Sequence, residues 1–245
     1  SNASIQQISF QSRYNAIEPE EITIRLYENL ANGSGTDVSL MGDLRDYEDQ
    51  RNFDPMKKIY AHQKKFEPYF GKYESLSSVA IIAPGYWPGG NEMEEYRGLS
   101  LMLKEAHIQY DIIQDNHLAN LKEKLKRYKA LFLPDINYLS EDDSKALAEI
   151  SSSGVQLIAT NTSLFDKPTA LKKLFGATIV QKDYDGTGNY LSPIRKDIFK
   201  SFEGQSMVHF KFNLGLYQFD KDVETALPIL SKGRPGPPEM IGGHE

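Results

Sequence analysis

Two patterns of apolar spacing divide the chain. In the opening segment a short apolar stretch (Ile8, Phe10) is followed by Glu18-Pro19-Glu20-Glu21, where proline in a first turn and clustered acids suit the positive end of a helix. Ile22, Leu26 and Leu30 continue at spacing four, and Gly33 supplies the stop. A strand pattern over Thr36 to Met41 and a polar loop, Gly42 to Tyr47, precede a second helix from about Pro55 to Phe70, with Met56, Ile59, Phe66 and Phe70 on its buried side. From Ser78 the rhythm changes. Val79 to Ala83 is a continuous apolar run, as in a strand covered on both faces, and a helical stripe of Tyr96, Leu99, Met102, Leu103 and Ala106 follows over Glu92 to His107. Strands at Tyr110 to Ile113, Ala130 to Leu133 and Val155 to Ala159 alternate with helices marked by Leu118, Leu121, Leu125 and Tyr128, and by Ala146, Leu147 and Ile150. Ser140 with Asp143 three positions on caps the latter helix, and Gly154 ends it.

Strands separated by helices of this length need crossover connections, which build an open parallel sheet with helices on both sides. The alternation fails after Leu171-Phe175-Gly176; residues 177 to 232 read as short antiparallel strands appended to the sheet, among them His209 to Phe212, Leu214 to Tyr217 and Thr225 to Leu230. The stretch Gly233 to Pro238 resembles a loop. Helix, strand and helix alone leave the opening strand without a ladder partner, so that segment looks like the cut end of something larger. The expected partition is a tag scar over residues 1 to 3, a barrel remnant over 4 to 75, an α/β domain over 76 to 232 and a loose tail over 233 to 245.

Composition narrows the partners. With 40% hydrophobic residues among 245, the chain can bury a real core. A formal net charge of −6 without any run of Lys or Arg offers no footprint for nucleic acid or an anionic membrane. No apolar run approaches the roughly 20 residues of a membrane span. The absence of cysteine removes disulfides, thiolate metal sites and a cysteine nucleophile, and is compatible with either the cytoplasm or the periplasm of a bacterium.

In an open parallel sheet, ligands collect beyond the carboxyl ends of the strands. Four loops qualify. The first holds Tyr86, Trp87, Asn91 and Glu92, aromatic planes beside polar groups that suit a sugar face and its hydroxyls, although a tryptophan there is more often buried under a turn or against a neighbouring subunit. Gly85-x-x-x-Gly89-Gly90 lacks the Lys and Ser/Thr of a phosphate loop, so no nucleotide cofactor is expected. The second and third loops contribute Asp115 and Asn137. The fourth, Thr160-Asn161-Thr162-Ser163, stands where α/β hydrolases and amidotransferases seat a nucleophile on a strained elbow, but it has neither a cysteine nor a Gly-x-Ser-x-Gly frame. A hydroxyl nucleophile would need a histidine base, and His62, His107, His117, His209 and His244 all have ordinary structural readings with no metal-ligand spacing. Asp43 and Asp46 follow the first strand where barrel enzymes carry substrate loops, with solvated loop acids as the simpler reading.

The runs Glu95-Tyr96-Arg97-Gly98-Leu99, Tyr128 to Pro134, Leu139-Ser140, Gly154 to Thr160 and Leu171 to Gly176 together resemble the amidotransferase-like, flavodoxin-type middle domain of family 42 β-galactosidases and related glycosidases, chiefly over residues 78 to 176. Leu30 to Gly33 and the strand running to Gly42-Asp43 look like the end of the barrel that precedes it. The resemblance implies a (β/α)8 catalytic barrel, a domain without a catalytic cysteine that takes part in trimer formation, and a carbohydrate substrate for the parent enzyme. Family members use a pair of glutamates on earlier barrel strands. A chain ending such a barrel would lack that pair, so no catalytic residue is expected here, and homo-oligomerisation or sugar binding through Tyr86 and Trp87 are the expected roles.

Overall fold

The computed structural model describes residues 2–4, 15–40, 43–70, 73–84, 92–114, 118–137, 139–186, 188–210 and 212–230. It divides into two compact units, Ser1–Ser75 and Leu76–Glu245.

In the first unit, β1 (Asn2–Ser4) and β2 (Asp37–Ser39) pair in parallel, Asn2 opposite Asp37 and Ser4 opposite Ser39, with α1 (Pro19–Ala31) between them in sequence. The expectation of a strand without a partner is thereby corrected, because Asn2 and Ala3, counted as a scar, supply the ladder together with Ser4. Ile22, Leu26 and Leu30 are buried at the predicted spacing, and Gly33 leaves the helix at φ +72°, which a side chain would resist. α2 (Phe53–Phe66) starts and stops earlier than predicted and is followed by a 3-10 turn, Glu67–Tyr69, where Pro68 interrupts the regular ladder. Ile59 buries its side chain in the cluster built by α1, with Phe53, Met56 and Phe70 around it. Asn52, just before α2, is fully buried and donates through Nδ2 to the Ile17 carbonyl at 2.7 Å.

The second unit contains the predicted parallel sheet of four strands: β3 (Val79–Ala83), β4 (Tyr110–Gln114), β5 (Ala130–Pro134) and β6 (Gln156–Thr160), in the spatial order β4-β3-β5-β6. α3 (Glu92–Glu105) covers one face, its Leu99 and Leu103 closing over Ile81. α4 (Leu118–Leu125), α5 (Glu141–Ser152) and α6 (Pro168–Phe175) contribute Leu118, Leu125, Leu147, Ile150 and Leu171 to the cluster on the other face, with Ala80, Ile82, Leu131 and Leu133. Two members of the predicted α3 stripe are exposed instead, Met102 and Ala106. With about 100° between successive residues, Met102 falls on the rim of the arc defined by Tyr96, Leu99 and Leu103, and Ala106 lies beyond the helix end.

Capping fixes the α4–α5 pair. Ser140 Oγ accepts from the Asp143 amide at 3.0 Å and donates to Asp143 Oδ2 at 2.6 Å, and Asp143 Oδ1 accepts from the Ala119 amide at 2.8 Å in the first turn of α4. One carboxylate thus serves two helix starts.

The C-terminal strands are antiparallel, as predicted, but among the described residues they do not extend the parallel ladder. β7 (Ala177–Tyr184) pairs with β10 (Leu214–Phe219), while β8 (Asn189–Leu191), β9 (Val208–Phe210) and β11 (Ile229–Leu230) form a separate sheet in the order β11-β8-β9. Gly176 turns the chain from α6 into β7 at φ +62°. Ile179 and Tyr217 pack against the cluster beneath α6, so this ribbon is attached to the α/β core by side chains rather than by backbone pairing.

Candidate functional site

The carboxyl ends of β5 and β6 meet where the topology directs attention. Each strand is followed at once by a residue in the left-handed region, Asp135 at φ +54° and Asn161 at φ +45°. Both types tolerate that conformation because a short polar side chain can bond locally. Asn161 therefore stands at the apex of the strand-to-helix elbow, the position in which hydrolases place their nucleophile.

The side chains of these two turns are committed to one another. Asp135, almost fully buried, accepts from the Thr162 amide at 2.9 Å, from Thr162 Oγ1, and from Asn161 Nδ2 at 3.2 Å. Asn137 Nδ2 donates to Thr162 Oγ1 at 2.9 Å. Ser163 Oγ donates to the Leu133 carbonyl at 2.6 Å and accepts from the Ile136 amide at 2.9 Å, while the Leu164 amide donates to the Ile136 carbonyl at 2.9 Å. The hydroxyls of Thr162 and Ser163 are thus spent on holding the two loops together. Among the described residues neither bonds a histidine, which is what a hydroxyl nucleophile would require. Thr160 Oγ1 and Asn137 Oδ1 are buried without a hydrogen-bond partner among the described residues.

β10 then closes the elbow from above. The Gly215 amide donates to Asn161 Oδ1 at 3.0 Å, and the Tyr217 hydroxyl donates to the Asn161 carbonyl. The Tyr217 ring meets Phe165 edge-on at 5.1 Å. Burial, together with the nearby Asp135 carboxylate, raises the Tyr217 hydroxyl above the ordinary phenol range, so it stays a neutral donor. Gly215 has no alternative: a Cβ there would lie 2.5 Å from Phe165 Cζ and 3.0 Å from the Asn161 carbonyl oxygen. Beside this plug an open depression of about 570 Å³ is lined by Asn137, Leu139, Thr162, Phe165, Asp166 and Lys182.

Of the residues singled out from sequence, Asn137, Asn161, Thr162 and Ser163 are brought together here, with Thr160 directly beneath. Tyr86, Trp87, Asn91 and Asp115 lie outside the described residues, as does the side chain of Glu92. In the first unit Asp43 accepts from the Arg45 amide at 2.9 Å and pairs with its guanidinium at 2.6 Å, a contact that lowers the carboxyl below its usual range; Asp46 is exposed in the same 3-10 turn. His62 meets the Tyr27 ring edge-on and the Phe66 ring at a tilt, and His209 packs against Tyr190. His117 and His244 are outside the described residues. No group of three or more potential metal ligands occurs among the described residues, and no helix there is long and apolar enough to cross a membrane. Sequence reading passed over Asp135, Gly215 and Tyr217. The alternation at Leu214 to Tyr217 marks a strand, but nothing in it tells which loop that strand will cover.

No protein-family profile matches the chain, and no curated protein does. Among solved structures, alpha-L-fucosidase isoenzyme 2 from Paenibacillus thiaminolyticus superposes with a TM-score of 0.64 at 16% identity, over 89% of this chain and 33% of that one. The chain shares its fold with part of a fucosidase. It spans about a third of that enzyme's length. Exo-beta-1,4-mannosidase Op5Man5 from Opitutaceae bacterium strain TAV5 is a looser match, with a TM-score of 0.43 at 14% identity, over 74% of this chain and 31% of that one.

Proposed function

We propose that the second unit is a non-catalytic, interface-forming accessory domain of a glycoside hydrolase, of the kind that forms the middle domain of family 42 β-galactosidases. The observation that carries this reading is the elbow itself. Its apex residue is Asn161, a carboxamide with no nucleophilic atom, whose side chain and carbonyl are both held by β10. A substrate would have to displace Gly215 and Tyr217 to reach it. The glycoside-hydrolase part rests on the fold shared with the fucosidase, and on the β1–α1–β2–α2 run of the first unit, since parallel neighbours joined by a helix are the repeat of a catalytic barrel.

The interface part is supported by the α3 face. Ile112, Ile81, Phe132 and Ile158 stand in one register row across the sheet. α3 covers only the middle of that row, and Ile112 at its one end is 54% exposed, Ile158 at the other 37%. A second copy of this chain is the occupant we assign to those open ends.

Assay of the protein on aryl glycosides and on glutamine should show no turnover. Turnover lost on Thr162→Val or Ser163→Ala would overturn the non-catalytic reading. Light scattering should show self-association that Ile112→Asp with Ile158→Asp removes; a monomer at every concentration would sink the interface.

A further inference from the structure

The first unit has a depression of its own, about 440 Å³ in volume, within the range of small-molecule sites of roughly 300–1,000 Å³. One wall is a single face of α2. Tyr60, Gln63 and Lys64 follow at spacings of three and four, so they lie one above another, and Glu67 continues that wall from the first position of the 3-10 turn after the helix. Phe70 and Tyr73 form a second wall, their rings edge-to-face at 6.1 Å and 83°. Gly33 opposite completes the cleft, and a Cβ there would touch the Tyr73 ring at 3.4 Å.

The chemistry of these walls is specific. Tyr60 and Tyr73 are 36% and 54% exposed, so ring surface is held open to solvent at the rim rather than buried. Gln63 Oε1 is taken by the Thr36 hydroxyl, which pins the carboxamide and leaves its N–H donors for another partner. Lys64 and Glu67 sit three residues apart yet form no ion pair with each other or with any other described residue. Donors and an acceptor therefore stand unpaired beside aromatic faces, with a net charge of zero. An anion would meet Glu67, a cation Lys64, and an apolar ligand would strand all three polar heads. A pyranose fits each feature: its C–H face stacks on a tyrosine ring, its hydroxyl oxygens accept from Gln63 and Lys64, and its hydroxyl protons go to Glu67.

We propose that this cleft is a saccharide-binding site for one or two neutral pyranose rings. It is read from its own residues, and it stands whether or not the second unit is catalytically silent. Because the cleft is open and its side chains must be ordered on binding, the affinity belongs in the millimolar range.

Saturation-transfer NMR with neutral hexoses, deoxyhexoses and their disaccharides, at about 50 mM ligand, tests the assignment on the whole chain. Transfer to ring protons of the sugar is expected. Tyr73→Ala and Lys64→Ala should each weaken binding at least about fivefold, with an unchanged thermal transition, while Tyr73→Phe retains it. Glu67→Gln, at an exposed position, provides a second variant that keeps the fold. Replacing Tyr86 and Trp87 together by alanine should leave this binding intact. No transfer from any sugar in the panel, or binding indifferent to Tyr73→Ala, Lys64→Ala and Glu67→Gln alike, overturns the site.

Discussion

Gly215→Ala is the sharpest probe of the plugged elbow. The new methyl would sit 2.5 Å from Phe165 Cζ, 3.2 Å from Cε1 and 3.0 Å from the Asn161 carbonyl oxygen. Carbon atoms in contact prefer about 3.5–4.0 Å, so the ring must retreat by roughly 1 Å or the strand must lift. The ring cannot move freely, since Phe165 is buried in the main core and braced by Tyr217. Overpacking of this kind costs about 1–3 kcal/mol. Lifting β10 instead would weaken the Gly215 to Asn161 hydrogen bond, worth about 1 kcal/mol. The loss is therefore about 1–3 kcal/mol, which for a unit of this size lowers Tm by roughly 2–12 °C. Differential scanning calorimetry reads the shift, and hydrogen exchange over residues 156 to 175 should show faster opening. Phe165→Leu removes the ring edge that the methyl strikes, so in that background the same glycine substitution should cost at least about 1 kcal/mol less. Equal losses in both backgrounds, or no loss in the parent, would refute the close approach of β10 to the elbow.

Three further outcomes follow from the same geometry. Tyr217→Phe strips the Asn161 carbonyl of its donor and should destabilise by about 1–3 kcal/mol in urea titration. The raised folded-state pKa of Tyr217 means its contribution is fully present below the unfolded phenol value near 10 and is lost as pH rises beyond it, so alkaline unfolding should be shallower in this variant. Ser140→Ala should cost about 1 kcal/mol, and Asp143→Ala more, because the latter leaves the Ala119 amide of α4 without its acceptor and also removes the group that orients the Ser140 hydroxyl; equal losses for the two would refute the shared cap. The Arg195 guanidinium pulls the exposed Asp197 carboxyl down to about 2. That pair persists above the unfolded carboxylate value and is lost as pH falls toward 2, and carbon-detected NMR should place the midpoint there and move it upward in high salt.

How much of this was legible beforehand differs by element. The four parallel strands and their helices were readable because each is dictated locally: a continuous apolar run such as Val79 to Ala83 has to be covered on both faces, and a stripe such as Leu118, Leu121 and Leu125 has to face inward. Ser140 and Asp143 announce a cap within four residues. The absence of a cysteine at the elbow was equally plain. Met102 misled because helical spacing gives an arc and not its edges, and the edge is set by how much sheet lies underneath.

By itself, then, the order of residues determined the open parallel α/β sheet, its caps and the absence of a cysteine from the loop after its fourth strand. Only the tertiary structure decided that Asp135, Asn161 and Thr162 form one knot, that Gly215 and Tyr217 seal it from more than fifty residues away in the chain, and that Tyr60 and Tyr73 frame a cleft. Period and propensity act between neighbours in sequence, whereas a hydrogen bond or a ring contact depends only on where two distant segments are brought in space.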